Sequence, residues 1–413
     1  MVSIAIMGHG VVGSGVAEII TTHKNKLYTS IGEEVYIKRI LDLREFPDSP
    51  LADRFTKNFE DIINDREIRI VVEVMGGINP AYDFVKRSLK AGKSVVTSNK
   101  ELVAAKGAEL LQIAKDNNAN FLFEASVGGG IPIIRPMSQC LVANIVDEIA
   151  GILNGTTNFI LTKMIDEGMD FDTALKLAQE LGYAERNPEA DVEGHDACRK
   201  ICILASLAFG KHVYPEYVHT EGITKITLKD VKYAAAWGGV IKLIGKVKML
   251  ENGKMDIMVA PMLIPCKSQL ANIDDVFNGI MVRGDCTGDV VFYGKGAGKL
   301  PTASAVVADV IDCCKHLKTR KYLFWTDGDS SSVIDYKDSV SSFYIRVKSD
   351  DKDAALQSTK ELFGNISPIA LDEYEGECAF VTEPLKYSDA ENYVKALADK
   401  GYETLSMLRI GDL

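Results

Sequence analysis

Asp196 and Lys200 are four residues apart at the start of a largely apolar segment, 196–209. In a helix, residues at this spacing share one face, so the carboxylate and the ammonium group would lie side by side. On an exposed helix such a pair is an ordinary ion pair that contributes about 0.3–0.5 kcal/mol. At the start of an apolar helix, the lysine could be partly desolvated beside the carboxylate and exchange protons with a substrate. The apolar setting favours this second interpretation.

A glycine-rich loop lies near the start of the chain, between the apolar strand predicted at 2–7 and a segment with helical periodicity. Its sequence, GHGVVG, fits the pattern GxGxxG. Gly8 permits a tight turn, Gly10 allows close approach of a pyrophosphate, and Gly13 lets the helix pack on the strand. The helix start at Val11 and Val12 favours phosphate charge. In this context the loop predicts a dinucleotide site for NAD or NADP.

Two other segments would face a cofactor bound at this loop. Thr97, Ser98 and Lys100 come at the end of the predicted strand SVVTS, at the carboxyl edge of the sheet where ligands bind. Lys100 is either an exposed lysine at a helix start or a group that reaches the substrate. The second strand ends in Asp42, which would bind the 2′-hydroxyl of NAD, and nearby Arg44 could accept the 2′-phosphate of NADP. These residues leave the choice of cofactor open.

The elements that must position these residues alternate between strand and helix over about the first 126 residues. Such alternation predicts an α/β fold of the Rossmann type, a doubly wound parallel sheet with right-handed crossovers. The rest of the chain divides into an α+β region and a C-terminal β-α-β-β-α-β unit of ferredoxin-like order. The predicted boundaries are 1–126 plus about 302–318 for the cofactor domain, 127–301 for the α+β domain, 319–340 for a linker and 341–413 for the C-terminal unit.

Composition excludes several classes of function. With 47 Lys+Arg against 58 Asp+Glu in 413 residues, the net charge is −11. This balance argues against non-specific binding to nucleic acid or an anionic membrane, because both need positive charge. The sequence contains no run of 18 apolar residues, so no transmembrane helix is predicted. The eight cysteines form no CxxC pair and no zinc-spaced cluster, which indicates buried thiols in a reducing cytoplasm.

An ordered set of motifs resembles the homoserine dehydrogenase family over about residues 2–316. The glycine loop is shared by many families, whereas LNGTTNFIL together with the segment from Glu185 to Lys200 is highly specific. The motifs that carry the resemblance are GHGVVG at 8–13, TSNKELVA at 97–104, EASVGGGIPIIRP at 124–136, GILNGTTNFIL at 151–161, GYAERNPEADVEGHDACRK at 182–200 and GKGAGKLPTASAVVAD at 294–309.

The resemblance implies an oxidoreductase that interconverts L-homoserine and L-aspartate 4-semialdehyde with NAD or NADP. It implies that Lys200 is the acid/base, that Lys100 lies near cofactor and substrate, and that Glu185 and Asp196 hold the amino-acid substrate. The α+β domain would be the catalytic and dimerisation domain. Further implied positions are Gly296 and Gly298, in the turn that returns to the cofactor domain, and Glu124 with the carbonyl groups of Val127, Gly129 and Ile131 around a monovalent cation, Na⁺ or K⁺.

The C-terminal unit is similar to an ACT domain, an amino-acid-sensing module. Its first turn departs from the usual acidic-x-Pro-Gly pattern, because residues 349–353 read SDDKD. We therefore expect little inhibition by threonine, a sheet edge free to pair with another subunit, and a homodimer or homotetramer. We also expect truncation after about residue 325 to leave catalysis largely intact. The alternative function is a non-catalytic protein that senses nucleotides and amino acids, which would need neither both lysines nor the substrate carboxylates.

Overall fold

The computed structural model describes residues 1–321, 323–371 and 373–413. Position 322 of the predicted linker and position 372 of the predicted C-terminal unit lie outside the described residues. Among the residues described, no helix is long and apolar enough to cross a membrane.

The first part of the chain forms a six-stranded sheet whose paired strands are all parallel. The strands are β1 Val2–Met7, β2 Val35–Leu41, β3 Phe55–Thr56, β4 Ile68–Glu73, β5 Ser94–Thr97 and β6 Phe121–Leu122. The helices are α1 Val11–Thr22, α2 Lys24–Ile31, α3 Glu60–Ile63, α4 Ala81–Lys90 and α5 Lys100–Asp116. The order β3-β2-β1-β4-β5-β6 reverses direction at β1, so the loops after β1 and β4 border a crevice at the carboxyl edge. The predicted doubly wound parallel sheet is confirmed.

The middle of the chain combines helices with long antiparallel strands. The elements are β7 Val146–Ile152, α6 Gly155–Asp166, α7 Phe171–Glu180, α8 Glu189–Val192, α9 His195–Phe209, β8 His219–Thr220, α10 Leu228–Trp237, β9 Gly239–Met249, β10 Met255–Pro265, β11 Phe277–Gly284, β12 Gly288–Lys295 and α11 Lys299–Lys315. Helix α10 lies between the short strand β8 and the long strand β9. That helix begins with a capping box in which Thr227 and Asp230 bond reciprocally to each other's backbone N–H groups.

The last part of the chain has the predicted order of strands and helices, with two additional two-residue strands, β13 and β17, that pair with each other. Its elements are β13 Val340–Ser341, β14 Phe343–Lys348, α12 Lys352–Phe363, β15 Ile366–Ile369, β16 Glu377–Thr382, β17 Leu385–Lys386, α13 Tyr387–Asp399 and β18 Thr404–Ile410. Four of its strands lie in the order β18-β14-β16-β15. Strand β18 pairs in parallel with β10, so these strands and those of the middle region form one ten-stranded mixed sheet. The β18 edge of the C-terminal strands is therefore covered, whereas β15, at the other end of the order, pairs only with β16 among the residues described.

Buried charges hold the C-terminal strands against the middle region. The Arg346 guanidinium lies 3.1 Å from Asp230 at the start of α10 and 3.1 Å from Glu377 on β16, and all three side chains are buried. The Tyr344 hydroxyl donates a second hydrogen bond to Asp230. Because buried charges are costly without partners, separating the two regions would expose or orphan this network.

The segment predicted to be a linker is packed against both sheets. Trp325 is 1% exposed, and its indole N–H donates to Nδ1 of His212 across 2.9 Å. The other ring nitrogen of His212 bonds to the carbonyl oxygen of Ala104 in α5. These contacts tie the segment to a helix of the nucleotide-type sheet, a role that its polar, turn-rich sequence does not indicate.

Candidate active site

Two lysines converge on one buried carboxylate. Asp196, in the first turn of α9, is 4% exposed, and its two oxygens lie 2.7 Å from Nζ of Lys100 and 2.8 Å from Nζ of Lys200. Lys200 is buried and also donates to the carbonyl oxygen of Leu153 across 2.6 Å. The Lys100 side chain is 41% exposed and stands at the start of α5, so its ion pair joins the parallel sheet to the middle region. The structure therefore brings together Lys100, Asp196 and Lys200.

The three groups shift one another's pKa values. Burial alone would raise the pKa of Asp196, but Lys200 and Lys100 outweigh it and hold the pKa well below its ordinary value. Burial lowers the pKa of Lys200, and the charge of Lys100 lowers it further against the opposing effect of Asp196. For Lys100, the attraction of Asp196 exceeds the effect of burial and raises the pKa. One lysine is thus disposed to lose its proton and the other to keep it.

A turn between β7 and α6 supports this centre from the other side. The side-chain amide of Asn154 donates to Asp191 across 2.7 Å and to Asp196 across 2.9 Å. Burial and the nearby charge of Asp196 raise the pKa of Asp191. The sequence analysis did not predict this role of Asn154, because its partners are 37 and 42 residues away along the chain.

Glu185 stands on a different element from the lysines of α5 and α9. It is exposed on the loop between α7 and α8, where its backbone carbonyl oxygen accepts a hydrogen bond from Gln179. The hydroxyl of Thr156, in the first turn of α6, donates to Tyr183 on the same loop. Within the described part of the chain, no ion pair links Glu185 to Asp196 or to the two lysines.

The glycine loop connects β1 to α1 at the carboxyl edge. A Cβ atom at Gly13 would lie 1.9 Å from the carbonyl oxygen of Gly8, so only glycine fits there. Gly10 is the N-cap of α1. Because glycine has no side chain, it makes no capping hydrogen bond to the backbone N–H groups of the first turn. Val11 is 67% exposed and Val12 is half-buried at this helix start. The backbone is thus open to an anionic ligand.

Asp42, beside this loop, accepts hydrogen bonds at both of its carboxylate oxygens. One oxygen accepts from the backbone N–H of His9 and from Nη2 of Arg44, and the other accepts from the backbone N–H and Nε of Arg44. Arg44 holds the pKa of Asp42 well below its ordinary value. The Arg44 side chain is 62% exposed. A cavity of about 460 Å³ beside the loop is lined by Gly10, Asp42, Arg44 and Lys57, among others. The sequence analysis missed Lys57, whose only signal is its place just after β3.

Thr97 and Ser98 end β5 at the same edge. Thr97 is buried and donates its hydroxyl to Glu73, a buried carboxylate at the end of β4. The Glu73 carboxylate also accepts from the backbone N–H groups of Met75 and Gly76, and burial raises its pKa. Half-buried Ser98 follows Thr97, two residues before Lys100. These contacts hold the loops after β4 and β5 together.

The segment predicted to bind a cation forms a tight turn. The buried carboxylate of Glu124 accepts hydrogen bonds from the backbone N–H groups of Ile133, Ile134 and Arg135. Three of its roughly four acceptor positions are therefore used. The turn between Glu124 and Ile133 contains Val127, Gly129 and Ile131. In the sequence analysis, the backbone carbonyl groups of these three residues were the expected cation ligands. Among the residues described, no group of three or more His, Cys, Asp or Glu side chains is arranged to hold a metal ion.

The same turn abuts the segment before α11. A Cβ atom at Gly129 would lie 2.2 Å from the carbonyl oxygen of Gly296. Gly298 is the N-cap of α11, whose Lys299 and Ala303 contact Gly15 of α1. Gly296 and Gly298 therefore lie where the chain returns to the nucleotide-type sheet.

Comparisons with known proteins identify the family. The family model described as homoserine dehydrogenase matches residues 132–311, and the model of its NAD-binding domain matches residues 8–124. A homoserine dehydrogenase of Bacillus subtilis is 41% identical over 320 residues, which are 77% of this chain and 74% of the relative.

Solved structures agree. A homoserine dehydrogenase from Thiobacillus denitrificans superposes with a TM-score of 0.91 at 34% identity, over 100% of this chain and 98% of the other. A hyperthermophilic archaeal homoserine dehydrogenase in complex with NADPH matches 75% of this chain and 97% of its own, with a TM-score of 0.64 and 28% identity. This chain belongs to the homoserine dehydrogenase family.

Proposed function

We propose that this oxidoreductase interconverts L-homoserine and L-aspartate 4-semialdehyde at the Asp196–lysine centre, with NADP or NAD as cofactor. The observation that carries the proposal is the pairing of one buried carboxylate with two lysines whose pKa values are shifted in opposite directions. When bound, the nicotinamide cofactor supplies hydride chemistry at the substrate carbon. Homoserine oxidation then requires a base for the hydroxyl proton and a positive group near the oxygen.

The two lysines divide these tasks. Lys200, with its lowered pKa, takes the hydroxyl proton during oxidation of homoserine and returns it during reduction of the aldehyde. Lys100, with its raised pKa, remains cationic and stabilises negative charge that develops on the oxygen. Asp196 orients both ammonium groups through its two oxygens.

The substrate's amino group is bound by Glu185 in this proposal. Its exposed position on a loop next to α6 supports a role at the rim of the site rather than at the reacting oxygen. Glu185→Gln keeps the size of the side chain and removes its charge. KM for homoserine is expected to rise while KM for the cofactor stays constant. A parallel rise of both constants would argue against this placement.

The cofactor pocket favours NADP. The hydrogen bonds to His9 and Arg44 fill the acceptor positions of Asp42, so this carboxylate has none left for a ribose hydroxyl. The cationic groups where a 2′-phosphate would lie are the exposed guanidinium of Arg44, which is paired with Asp42, and the amine of Lys57, which is paired with Glu45. The NADPH complex of the archaeal relative supports the same choice.

A monovalent cation, Na⁺ or K⁺, is proposed at the turn of residues 124–131. Since the carboxylate of Glu124 is largely used by backbone N–H groups, the ligands would be mainly the carbonyl oxygens of Val127, Gly129 and Ile131. Replacing Na⁺ and K⁺ by tetramethylammonium at constant ionic strength is then expected to lower the melting temperature. An unchanged melting temperature would reject the site.

The C-terminal unit is proposed to be an ACT-like domain without threonine regulation. In this proposal an amino-acid carboxylate would approach Asp350, in the turn after β14, and Asp353, in the first turn of α12, while Asp351 is the N-cap of that helix. Like charges oppose such a ligand. The unit would instead support assembly into a homodimer or homotetramer in the cytoplasm. Strong inhibition by threonine in an activity assay would overturn this proposal.

Absorbance at 340 nm tests the function directly. Purified protein with homoserine and NADP or NAD at alkaline pH is expected to produce NADPH or NADH. The alternative, a non-catalytic protein that senses nucleotides and amino acids, predicts cofactor binding without turnover. Turnover with homoserine but not with the same concentration of serine, which is one methylene shorter, would show that the site selects for the length of the side chain.

A further inference from the structure

Asn154 occupies an unusual place between two acidic side chains. It is 5% exposed, and its side-chain nitrogen lies 2.7 Å from Oδ1 of Asp191 and 2.9 Å from Oδ2 of Asp196. Its side-chain oxygen points the other way and accepts from the backbone N–H of Thr157, which makes Asn154 the N-cap of α6. One amide therefore joins a helix start to both carboxylates.

An amide side chain is suited to the position between Asp191 and Asp196. Two carboxylates close together repel each other, and an amide nitrogen carries two hydrogens that can satisfy one oxygen of each. The preceding residue adds a second constraint, because the carbonyl oxygen of Leu153 accepts from Nζ of Lys200. The turn of residues 153–154 thus contacts Lys200, Asp196 and Asp191 at once.

We infer that Asn154 is a positioning residue of the reaction: its amide holds Asp191 and Asp196 at a fixed separation so that Asp196 can orient Lys100 and Lys200. This inference rests on the proposed roles of the two lysines. The amide donors do not contact the substrate in this scheme. They act by keeping the Asp196 carboxylate turned toward both ammonium groups.

The direct test is to replace Asn154 by residues that keep the helix cap but lose the amide donors. Asn, Asp and Ser are nearly equivalent N-caps, so Asn154→Asp and Asn154→Ser preserve the start of α6. Loss of orientation is expected to reduce kcat for homoserine oxidation by about 10²-fold in both variants, the cost of displacing a catalytic group by about 1 Å. The cofactor Kd should stay within about twofold, because the glycine loop lies on another sheet.

The pH profile separates positioning from simple support of the fold. Lys200 faces Asp196 on its own helix, Lys100 on α5 and Asp191 on α8. Asn154→Asp adds a third carboxylate to these groups and should raise the pKa of Lys200. The ascending limb of the kcat profile should therefore move by about one unit to higher pH. Asn154→Ser adds no charge and should leave that limb nearly in place.

Each outcome supports or rejects the inference. Wild-type kcat in folded Asn154→Ser would reject it, as would an unshifted pH limb in Asn154→Asp. If Asn154→Asp does not fold, the kcat of Asn154→Ser decides alone. If the unmodified protein itself fails to turn over homoserine, the proposed function fails first, and the result is distinguishable from failure of the role of Asn154.

Discussion

Replacing Lys200 by methionine removes the ammonium group while keeping a chain of similar length. The variant loses two contacts, one to Asp196 at 2.8 Å and one to the carbonyl oxygen of Leu153 at 2.6 Å. Asp196 is not left alone, because Lys100 and Asn154 still bind its two oxygens. The full cost of breaking a buried ion pair, about 3–5 kcal/mol, is therefore not expected. The unpaired carbonyl group of Leu153 costs about 1–3 kcal/mol, which the fold should survive.

The effect on catalysis should be larger than the effect on stability. Loss of general acid–base catalysis reduces kcat by about 10²–10⁴-fold, which corresponds to about 3–5 kcal/mol in the barrier. Because the lowered pKa of Lys200 sets the neutral fraction of the base, the rate of homoserine oxidation in the unmodified protein should rise with pH and then level off. Lys200→Met should lose this ascending limb together with kcat.

Steady-state rates at 340 nm, cofactor titration and thermal unfolding test this prediction together. Lys254→Met is the matched control, because Lys254 is exposed in the turn between β9 and β10 and should leave all three measurements unchanged. A kcat above half the wild-type value in Lys200→Met would refute the assignment of the acid/base. A parallel loss of cofactor binding would instead indicate a folding defect.

Three further changes test the cofactor pocket and the C-terminal unit. Arg44→Ala should weaken NADP binding by about 1.5–3 kcal/mol and leave NAD nearly unchanged in titrations; equal effects on both nucleotides would reject the phosphate contact. Arg346→Met removes the shared guanidinium of two buried carboxylates, but Asp230 keeps its hydrogen bonds from Tyr344 and Thr227 and Glu377 keeps Lys229. The variant should therefore be destabilised by about 1–3 kcal/mol in thermal unfolding, whereas Lys348→Met, on the same strand but 66% exposed, should have almost no effect. Burial alone would raise the pKa of Glu221, but His219 and Arg409 lower it from 4.5 to about 2. The contribution of Glu221 to the free energy of unfolding is therefore complete above about pH 5 and is lost as the pH falls toward 2. Glu221→Gln should make the free energy of unfolding less dependent on pH in this range. An unchanged pH dependence would contradict this cause.

The structure also changes what truncation is expected to do. The sequence analysis predicted that removal of the chain after about residue 325 would leave catalysis largely intact. Truncation would uncover the edge of β10 at Met262 and Leu263 and leave Asp230 without Arg346. We now expect the truncated chain to melt at a lower temperature than the full chain and to be prone to aggregation through the exposed strand edge.

The sequence by itself determined the local elements and the chemical identity of the groups. The glycine loop, the alternation of strands and helices, and the spacing of Asp196 and Lys200 depend on backbone geometry within a few residues, which periodicity reports directly. The Thr227–Asp230 capping box at the start of α10 is a local signal of the same kind.

Tertiary structure alone decided which groups meet. Lys100 and Asp196 are 96 positions apart and meet only because α5 and α9 pack together; Asn154 and Asp191 join them through a turn and a short helix. The pairing of β10 with β18, which joins residues more than 140 positions apart, is likewise not visible in composition and spacing. The physical reason is that ion pairs and strand pairing depend on distances in space, and residues far apart in sequence approach only when the core packs. Those distances shift the pKa of Lys200 downward and the pKa of Lys100 upward, and this difference underlies the proposed division of roles.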